Sequence, residues 1–346
     1  MNTQQQCHWN VVDGNLNRLH PAGLFLVLML LSFFSFFNPT GVAAGQAIDI
    51  RLAYGKKIQY APQIIAVQQN YFRDQGLTVK PQILATGPQA AEALITGAAD
   101  AAAMGDAPAV FGAASGRPLK IIAAYGASEH MHRIVAAEKS GVRLPRDMIG
   151  KRVAIQFGTS TYGAFLRFCQ KHGIEKADIS LINLSPTDMP MAMQSNQIDV
   201  AVGSEPWPSN IEETVAGSYA VTSLAGLGNE YPHVMVVSHS LITRHPEVVT
   251  AILRALNQAI DMINQNPGQA AEIIAGVTGV PVQRELKGLA SIQWKLRLDA
   301  AIKNSLVQTA DFLKQQKKLP MSADIGSSID DAFLNTINDM SHHEIH

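Results

Sequence analysis

The sequence predicts an α/β fold built from two copies of one strand–helix unit. Strands and helices alternate from Ile48 to Met104, and the same alternation restarts near Val153. Strand–helix–strand crossovers are right-handed, so such a chain forms mostly parallel sheets with helices on their faces. A helix end, a turn, an aspartate and a buried strand occur in this order around Asp100 and again around Asp199. We therefore predict two related α/β units rather than a solenoid array.

Each element is predicted from periodicity and from the residues that end it. Alternating apolar residues predict strands, apolar stripes spaced by three or four residues predict helices, and Gly or Pro marks their ends. The predicted strands are 48–54, 77–84, 101–104, 119–125, 153–156, 179–184 and 200–203. The predicted helices between them are 59–75, 89–96, 158–172 and 189–195, and the chain is mostly helical from Pro246 onwards.

An apolar segment precedes the first unit. Residues 24–37 are apolar apart from two serines, and at 14 residues the segment is short for a bilayer span but typical of a signal-peptide core. Small residues follow and allow cleavage after Ala44 or Ala47. We predict a Sec-pathway signal peptide over residues 1–44 that is cleaved and a mature protein that works outside the cytoplasm. The alternative, an uncleaved anchor, also places the following chain outside the cytoplasm.

Composition excludes several classes of function. The net charge is −1 with acids and bases interspersed, whereas a nucleic-acid partner requires a basic face. Cys169 is the only cysteine after the leader, so we expect no intramolecular disulfide and no cysteine-based metal site. The nucleophile elbow, the Walker loop and the His-Glu-x-x-His motif are all missing from the sequence. We therefore expect no enzymatic activity, no cofactor and no metal. We also expect a monomer.

Short motifs follow one another in a fixed order over essentially residues 48–335. They lie at 76–79, 97–100, 105–108, 150–154, 158–161, 197–200, 205–207, 245–249 and 309–313, and include Gly97-Ala98-Ala99-Asp100, Gly158-Thr159-Ser160-Thr161 and Glu205-Pro206-Trp207. In this order they resemble the periplasmic solute-binding proteins of ABC importers for nitrate, sulfonates and taurine. They also resemble the related group that binds thiamine-pyrimidine precursors.

The resemblance implies a periplasmic binding protein fold of type 2, or Venus flytrap, with two doubly wound lobes joined by a two-stranded hinge. Lobe 1 is then expected to comprise 45–130 and 238–340, lobe 2 131–237, and 341–346 a tail. The chain would cross between lobes near 128–133 and again near 236–240. The resemblance also implies a small-molecule ligand and ABC permease subunits as partners. Thiamine-pyrimidine synthases share this fold, but they carry a cysteine-rich motif that this sequence lacks.

Ligands of such folds bind at the carboxyl ends of the parallel strands. Five predicted loops meet there: 55–60, 85–87 and 105–107 from the first unit, and 157–162 and 204–207 from the second. The candidate ligand-binding residues in these loops are Tyr60, Thr86, Gly87, Asp106, Gly158, Thr159, Ser160, Thr161, Glu205 and Trp207.

The segment 158–161 points most directly to a ligand. Glycine allows a close backbone approach, a helix N-terminus offers free N–H groups, and three hydroxyls add donors. This combination suits a small anion such as a sulfonate, nitrate or carboxylate. Alternatively, Thr159 or Ser160 is only the helix N-cap.

The other candidates keep two interpretations each. Glu205 would attract an ammonium or an amino-pyrimidine, or it pairs with Arg133 or Lys151 and faces away. Trp207 covers the ligand or packs under a loop. Asp106 lines the cleft or caps a helix that starts at Pro108.

The sequence thus predicts the extracytoplasmic solute-binding component of an ABC importer, which captures a small organic anion such as a sulfonate by cleft closure. A binder of a nitrogen heterocycle is the alternative, favoured by Glu205 and by the lack of an evident arginine in the cleft loops. A sensor module of the same fold is a further alternative.

Overall fold

A computed structural model describes residues 47–343, with side chains described through residue 337. The predicted signal peptide, 1–44, lies outside the described residues. The strands are β1 (Ile48–Tyr54), β2 (Leu77–Ile83), β3 (Ala101–Gly105), β4 (Leu119–Ala127), β5 (His132–Ala136), β6 (Arg152–Ile155), β7 (Ser180–Asn183), β8 (Val200–Ser204), β9 (Tyr219–Ser223), β10 (His233–Ser238) and β11 (Gln293–Arg297).

Thirteen α-helices are present in the described part of the chain. They are α1 (Ala61–Gln68), α2 (Tyr71–Asp74), α3 (Gly87–Ile95), α4 (Asp106–Ala113), α5 (Ser160–Lys171), α6 (Met189–Gln194), α7 (Trp207–Thr214), α8 (His239–Arg244), α9 (Pro246–Gln265), α10 (Pro267–Thr278), α11 (Val282–Ala290), α12 (Ala300–Gln315) and α13 (Ala332–His343). None of these described helices combines the length and apolar character that a bilayer span requires.

The strands form two sheets, and each sheet lies in its own lobe. The six-stranded sheet of the first lobe has the order β11–β4–β10–β3–β1–β2, and the five-stranded sheet of the second has the order β7–β6–β8–β5–β9. Pairing is parallel between β1, β2 and β3 and between β6, β7 and β8, as the crossover argument predicts. One antiparallel strand is inserted in each sheet, β10 beside β3 and β5 beside β8.

The chain crosses from the first sheet to the second between Ala127 and His132, in agreement with the predicted crossing. The predicted second crossing near 236–240 is wrong, because His233–Ser238 already pairs with β3 and β4. The return therefore lies between Ser223 and His233, and the second lobe ends earlier than position 237. The predicted tail also begins too early, since α13 continues to His343.

The central strands of both sheets are buried on both faces. In the second lobe, Ile134 packs into the core on one face of the sheet and Val135 into the core on the other, because successive side chains point to opposite faces. In the first lobe, the apolar stripe of α9 is buried against the sheet, as its spacing predicts. The predicted helix 59–75 is interrupted at Asn70, which has a φ of 61° and separates α1 from α2.

Candidate functional site

A cavity of about 60 Å³ lies between the two lobes, at the carboxyl ends of the parallel strands. We call it the cleft cavity. Its lining from the first lobe is Lys57, Tyr60, Thr86, Gly87, Pro88, Gly105, Pro108 and His233, and from the second lobe His132, Gln156, Thr159, Ser160, Thr161, Pro186, Val202, Gly203 and Ser204. The volume accommodates a few water molecules or one compact polar group.

The hydroxyls of the second lobe are positioned by the turn that starts α5. Gly158 has a φ of +76°, a left-handed conformation that glycine adopts without strain. Thr159 is the N-cap, and its Oγ1 accepts a hydrogen bond from the backbone N–H of Tyr162 at 3.2 Å. The predicted capping role is therefore confirmed for Thr159. Ser160 and Thr161 follow in the first turn and leave their hydroxyls at the lobe interface.

Ser160 reaches the first lobe. Its Oγ accepts a hydrogen bond from the backbone N–H of Ala107 at 3.3 Å. Gly105 makes this approach possible, because a Cβ atom at that position would lie 2.5 Å from Ser160 Oγ. The two lobes therefore touch at the cleft in this structure.

Further contacts cross between the lobes. The Gln59 side-chain amide donates to the backbone oxygen of Glu205, and Arg284 forms an ion pair with Glu213. The arrangement of the lobes is consequently a closed one.

Two buried histidines line the cleft cavity, one from each lobe. His132 and His233 are the first residues of β5 and β10, and they lie opposite Ser204 and Gly105 in the sheets. Burial, together with the nearby positive charge of Lys57, lowers the pKa of each imidazole to about 3. Both rings are therefore neutral at physiological pH.

One nitrogen of each imidazole ring is available for a hydrogen bond to a ligand. Nδ1 of His132 lies 3.0 Å from Thr161 Oγ1, whereas His132 Nε2 and His233 Nδ1 have no hydrogen-bond partner among the described residues. If the Thr161 hydroxyl donates to Nδ1, the neutral ring carries its proton on Nε2 and offers that N–H as a donor.

Lys57 supplies positive charge to the cavity. The residue is half-buried, and its Nζ lies 5.8 Å from the centroid of the Tyr60 ring. Desolvation by burial lowers the pKa of the ammonium to about 8. Among the described residues that line the cavity there is no aspartate or glutamate. The lining therefore combines a cation, neutral hydroxyls and neutral histidines, a set that favours an anion.

The structure brings six of the ten predicted site residues together around the cleft cavity. They are Tyr60, Thr86, Gly87, Thr159, Ser160 and Thr161. Gly158 does not line it but shapes the turn before α5. Trp207 opens α7 half-buried beside Gly203, outside the lining.

Neither of the two predicted acids lines the cavity, although the Asp106 carboxyl group contacts the Ser160 side chain. Glu205 accepts a hydrogen bond from Arg133 Nη1 at 2.8 Å and another from the backbone N–H of Ser209, which is the alternative geometry predicted for it. Asp106 is buried and accepts a hydrogen bond from Thr309 Oγ1 at 2.6 Å, and burial raises the pKa of its carboxyl group. Asp106 does not cap a helix that starts at Pro108, because α4 already begins at Asp106 with Gly105 as its N-cap.

Four lining residues, Lys57, Gln156, His132 and His233, are not among the ligand-binding residues predicted from the sequence. Lys57 lies inside the predicted loop 55–60, so a basic residue in a cleft loop was an available signal. Gln156 had been assigned to a strand, but the strand ends at Ile155. The histidines come from the two inserted strands, whose position in the sheets is not encoded in local periodicity.

Two doubly wound lobes with a polar cavity at their facing strand ends define the periplasmic-binding-protein fold. Within the proteins of this fold, the chain belongs to the NMT1-like family, whose model matches residues 43–278 and thus more than half of the 346-residue chain.

Named relatives and solved structures agree with this assignment. The chain is 26% identical to the taurine-binding periplasmic protein of Escherichia coli K12 over 80% of this chain and 90% of that protein. It is 21% identical to a putative aliphatic sulfonates-binding protein of Bacillus subtilis 168 over 90% and 95% of the two chains. The alkanesulfonate-binding protein SsuA from Xanthomonas axonopodis pv. citri, solved bound to MOPS, superposes with a TM-score of 0.73 at 26% identity, covering 82% of this chain and 98% of that one.

Proposed function

We propose that this protein is the periplasmic solute-binding component of an ABC importer and that it captures a sulfonate in the cleft cavity. The observation that carries the proposal is the cavity lining, in which Lys57, the Ser160 and Thr161 hydroxyls and two neutral histidines converge without an opposing carboxylate among the described residues. Charge-assisted hydrogen bonds to an anion are about twice as strong as bonds between neutral groups. The names of the relatives support the same ligand class.

Closure of the two lobes would couple binding to transport. Groups from both lobes converge on the cavity in this arrangement, in which Ser160 lies against Gly105, so a ligand that contacts both lobes would stabilise the closed form by its greater affinity for it. A permease could then distinguish loaded from empty protein by lobe arrangement. ATP hydrolysis belongs to another subunit in this scheme, so the chain acts as a monomeric binder rather than an enzyme.

In the sequence, the competing ligand class, a nitrogen heterocycle, is favoured by a Glu205 carboxylate in the cleft and by the lack of an evident cleft arginine. That carboxylate is held by Arg133 at 2.8 Å with most of its surface buried. The geometry therefore favours the anion.

Titration of methanesulfonate by calorimetry tests the proposal, with the double variant Ser160→Ala/Thr161→Val as the decisive comparison. The variant removes the Ser160 hydroxyl from the cavity and the Thr161 hydroxyl that holds His132 Nδ1 and so orients the ring, and it should weaken anion binding by at least about tenfold. Because Thr161 also supports buried His132, a lower melting temperature is expected as well. The control Thr96→Val/Ser115→Ala removes two exposed hydroxyls at helix ends and should leave affinity unchanged.

Unchanged affinity in the Ser160/Thr161 variant would show that these two hydroxyls serve only their contacts with Ala107 and His132. A wild-type protein that binds no sulfonate would overturn the proposal itself.

A further inference from the structure

A second cavity, of about 340 Å³, lies beside the cleft cavity and is mainly apolar. We call it the aromatic annex and define it by Phe111 and Phe312 of the first lobe and Phe157 and Tyr162 of the second. The rings of Phe157 and Tyr162 are stacked at a tilt, with centroids 4.6 Å apart. Phe157 is nevertheless 37% exposed, so this aromatic wall offers apolar surface that a ligand can cover.

The annex and the cleft cavity adjoin at the start of α5. Thr159 lines both of them. Ser160 lines the cleft cavity and Ala107 lines the annex, so the 3.3 Å hydrogen bond between Ser160 Oγ and the Ala107 N–H lies at their boundary. A ligand whose anionic group contacts Ser160 would have its remaining atoms close to the annex.

The two volumes suit different parts of one molecule. The cleft cavity, at about 60 Å³, has room for an anionic group but not for a sizeable organic substituent. An apolar cavity of about 150 Å³ is large enough to bind benzene. The annex, at about 340 Å³, exceeds that size.

Charge around the annex restricts the ligand further. Lys176 and Lys318 are exposed and line it from opposite lobes, and the described lining includes no acidic residue. A cationic substituent would therefore meet positive charge without a compensating carboxylate, whereas an aromatic ring would meet apolar side chains.

We propose that the aromatic annex holds the apolar body of a sulfonate whose anionic group occupies the cleft cavity, and that aromatic sulfonates are the preferred class. This inference rests on the proposed function, because the anionic group is placed by the cleft cavity. It adds a subsite that distinguishes ligands by the organic substituent attached to the sulfonate group.

The test compares methanesulfonate with benzenesulfonate by calorimetry on the mature protein and on two matched variants. Gly163 lines the annex within α5, and a Cβ there would have no neighbour within 4 Å, so Gly163→Leu should place a side chain in the space that the ligand's apolar body would occupy. Gly276 in α10 has the same open surroundings but lies outside both cavities, so Gly276→Leu is the control. Both substitutions replace a helical glycine and favour the helix.

Burial of a phenyl ring should make benzenesulfonate bind at least about tenfold more tightly than methanesulfonate to the wild type. Gly163→Leu should remove that advantage while methanesulfonate affinity stays within about twofold, and Gly276→Leu should change neither.

Equal affinities of the two sulfonates for the wild type, or an undiminished preference in Gly163→Leu, would overturn the annex and leave the proposed function standing. Failure of both sulfonates to bind the wild type would overturn the proposed function and the annex together.

Discussion

In the first lobe the strands run β2–β1–β3–β10–β4–β11, and in the second they run β7–β6–β8–β5–β9. Apart from the edge strand β11, the two orders correspond strand by strand. Each lobe thus has its second, first and third parallel strands in that order, followed by one inserted antiparallel strand and a further strand. The inserted strand is the one that has just crossed from the other lobe, β10 in one case and β5 in the other. One plan therefore accounts for both sheets and for the hinge between them.

At the ends of the sheets far from the cleft, the two lobes keep the same ion pair. Asp100 accepts hydrogen bonds from the backbone N, the Nε and the Nη2 of Arg51 at 2.9, 3.1 and 2.7 Å. Asp199 accepts the corresponding three bonds from Arg152 at 2.9, 3.0 and 2.7 Å. The repeated aspartate in the sequence is thus a structural element that ties the third parallel strand to the first.

At the cleft ends the plan is kept in part. His132 and His233 occupy equivalent positions, and so do the buried acids Asp106 and Glu205 directly after the third parallel strand of each lobe. The loops after the first strand differ, because the first lobe contributes Lys57 there and the second contributes hydroxyls. The comparison teaches that the positive charge comes from the first lobe and the hydroxyls at the start of α5 from the second, so an anion that contacts both groups requires both lobes.

The largest expected effect comes from removing the charge of the first lobe. Lys57→Met keeps the length of the side chain but loses its ammonium, and a hydrogen bond to a charged group is worth enough that methanesulfonate affinity should fall roughly 10- to 100-fold. Lys56→Met, at the exposed neighbouring position, is the control and should bind as the wild type does. Calorimetric titration measures the affinities of both variants. Equal affinities of Lys57→Met and the wild type would show that the second lobe, which contributes the hydroxyls, binds the anion without help from Lys57.

A smaller effect should follow from a ligand that carries an ammonium group, because neither Asp106 nor Glu205 is placed to pair with it. Taurine and 1-propanesulfonate differ essentially by an ammonium in place of a methyl group. Because Glu205 is paired with Arg133 and Asp106 with Thr309, the ammonium finds no carboxylate in the cavity lining. We expect taurine to bind about tenfold more weakly in competition titrations. Equal binding would mean that one of the equivalent acids turns toward the ligand.

The matched ion pairs far from the cleft should affect stability and not binding. Asp100→Asn and Asp199→Asn should each lower the free energy of unfolding by about 1 kcal/mol, since both pairs are partly exposed. Urea denaturation measures the loss, which should be similar in the two lobes because the geometries match. Asp49→Asn breaks an exposed pair with Lys80 and is the control, expected to change little. If only one of the two variants lost stability, the two ion pairs would not be energetically equivalent.

The parallel part of this fold could be predicted from the sequence. Its strands show alternating or continuous apolar runs, and its helices show an apolar stripe and a Gly or Pro near their ends. The antiparallel strands β5, β9, β10 and β11 could not be predicted in this way. Their pairing partners lie far away in the sequence, and a short apolar run does not indicate which strand it pairs with. The site divides in the same way. The turn at 158–161, with its glycine and three hydroxyl residues, is recognisable from the local sequence. His132 and His233, by contrast, reach the site only through strand pairing that is distant in sequence.

The smallest expected effect is a pH dependence that assigns the charge of the cavity to the first lobe. Burial lowers the pKa of Lys57 to about 8, and a bound anion stabilises the ammonium. Binding therefore takes up a proton wherever free Lys57 is neutral, so affinity is complete below the pKa of the free protein and declines above it. Methanesulfonate affinity should fall about fourfold between about pH 7 and about pH 8.5.

The two histidines do not contribute to this change, because pKa values of about 3 keep both neutral throughout that range. Titrations at several pH values with Lys57→Met provide the control, since that variant should bind weakly and without pH dependence. A slope that persists in Lys57→Met would assign the titrating group to the other lobe. A flat profile in the wild type would mean that the ammonium keeps its proton in the free cleft, where the neighbouring hydroxyls would then solvate it.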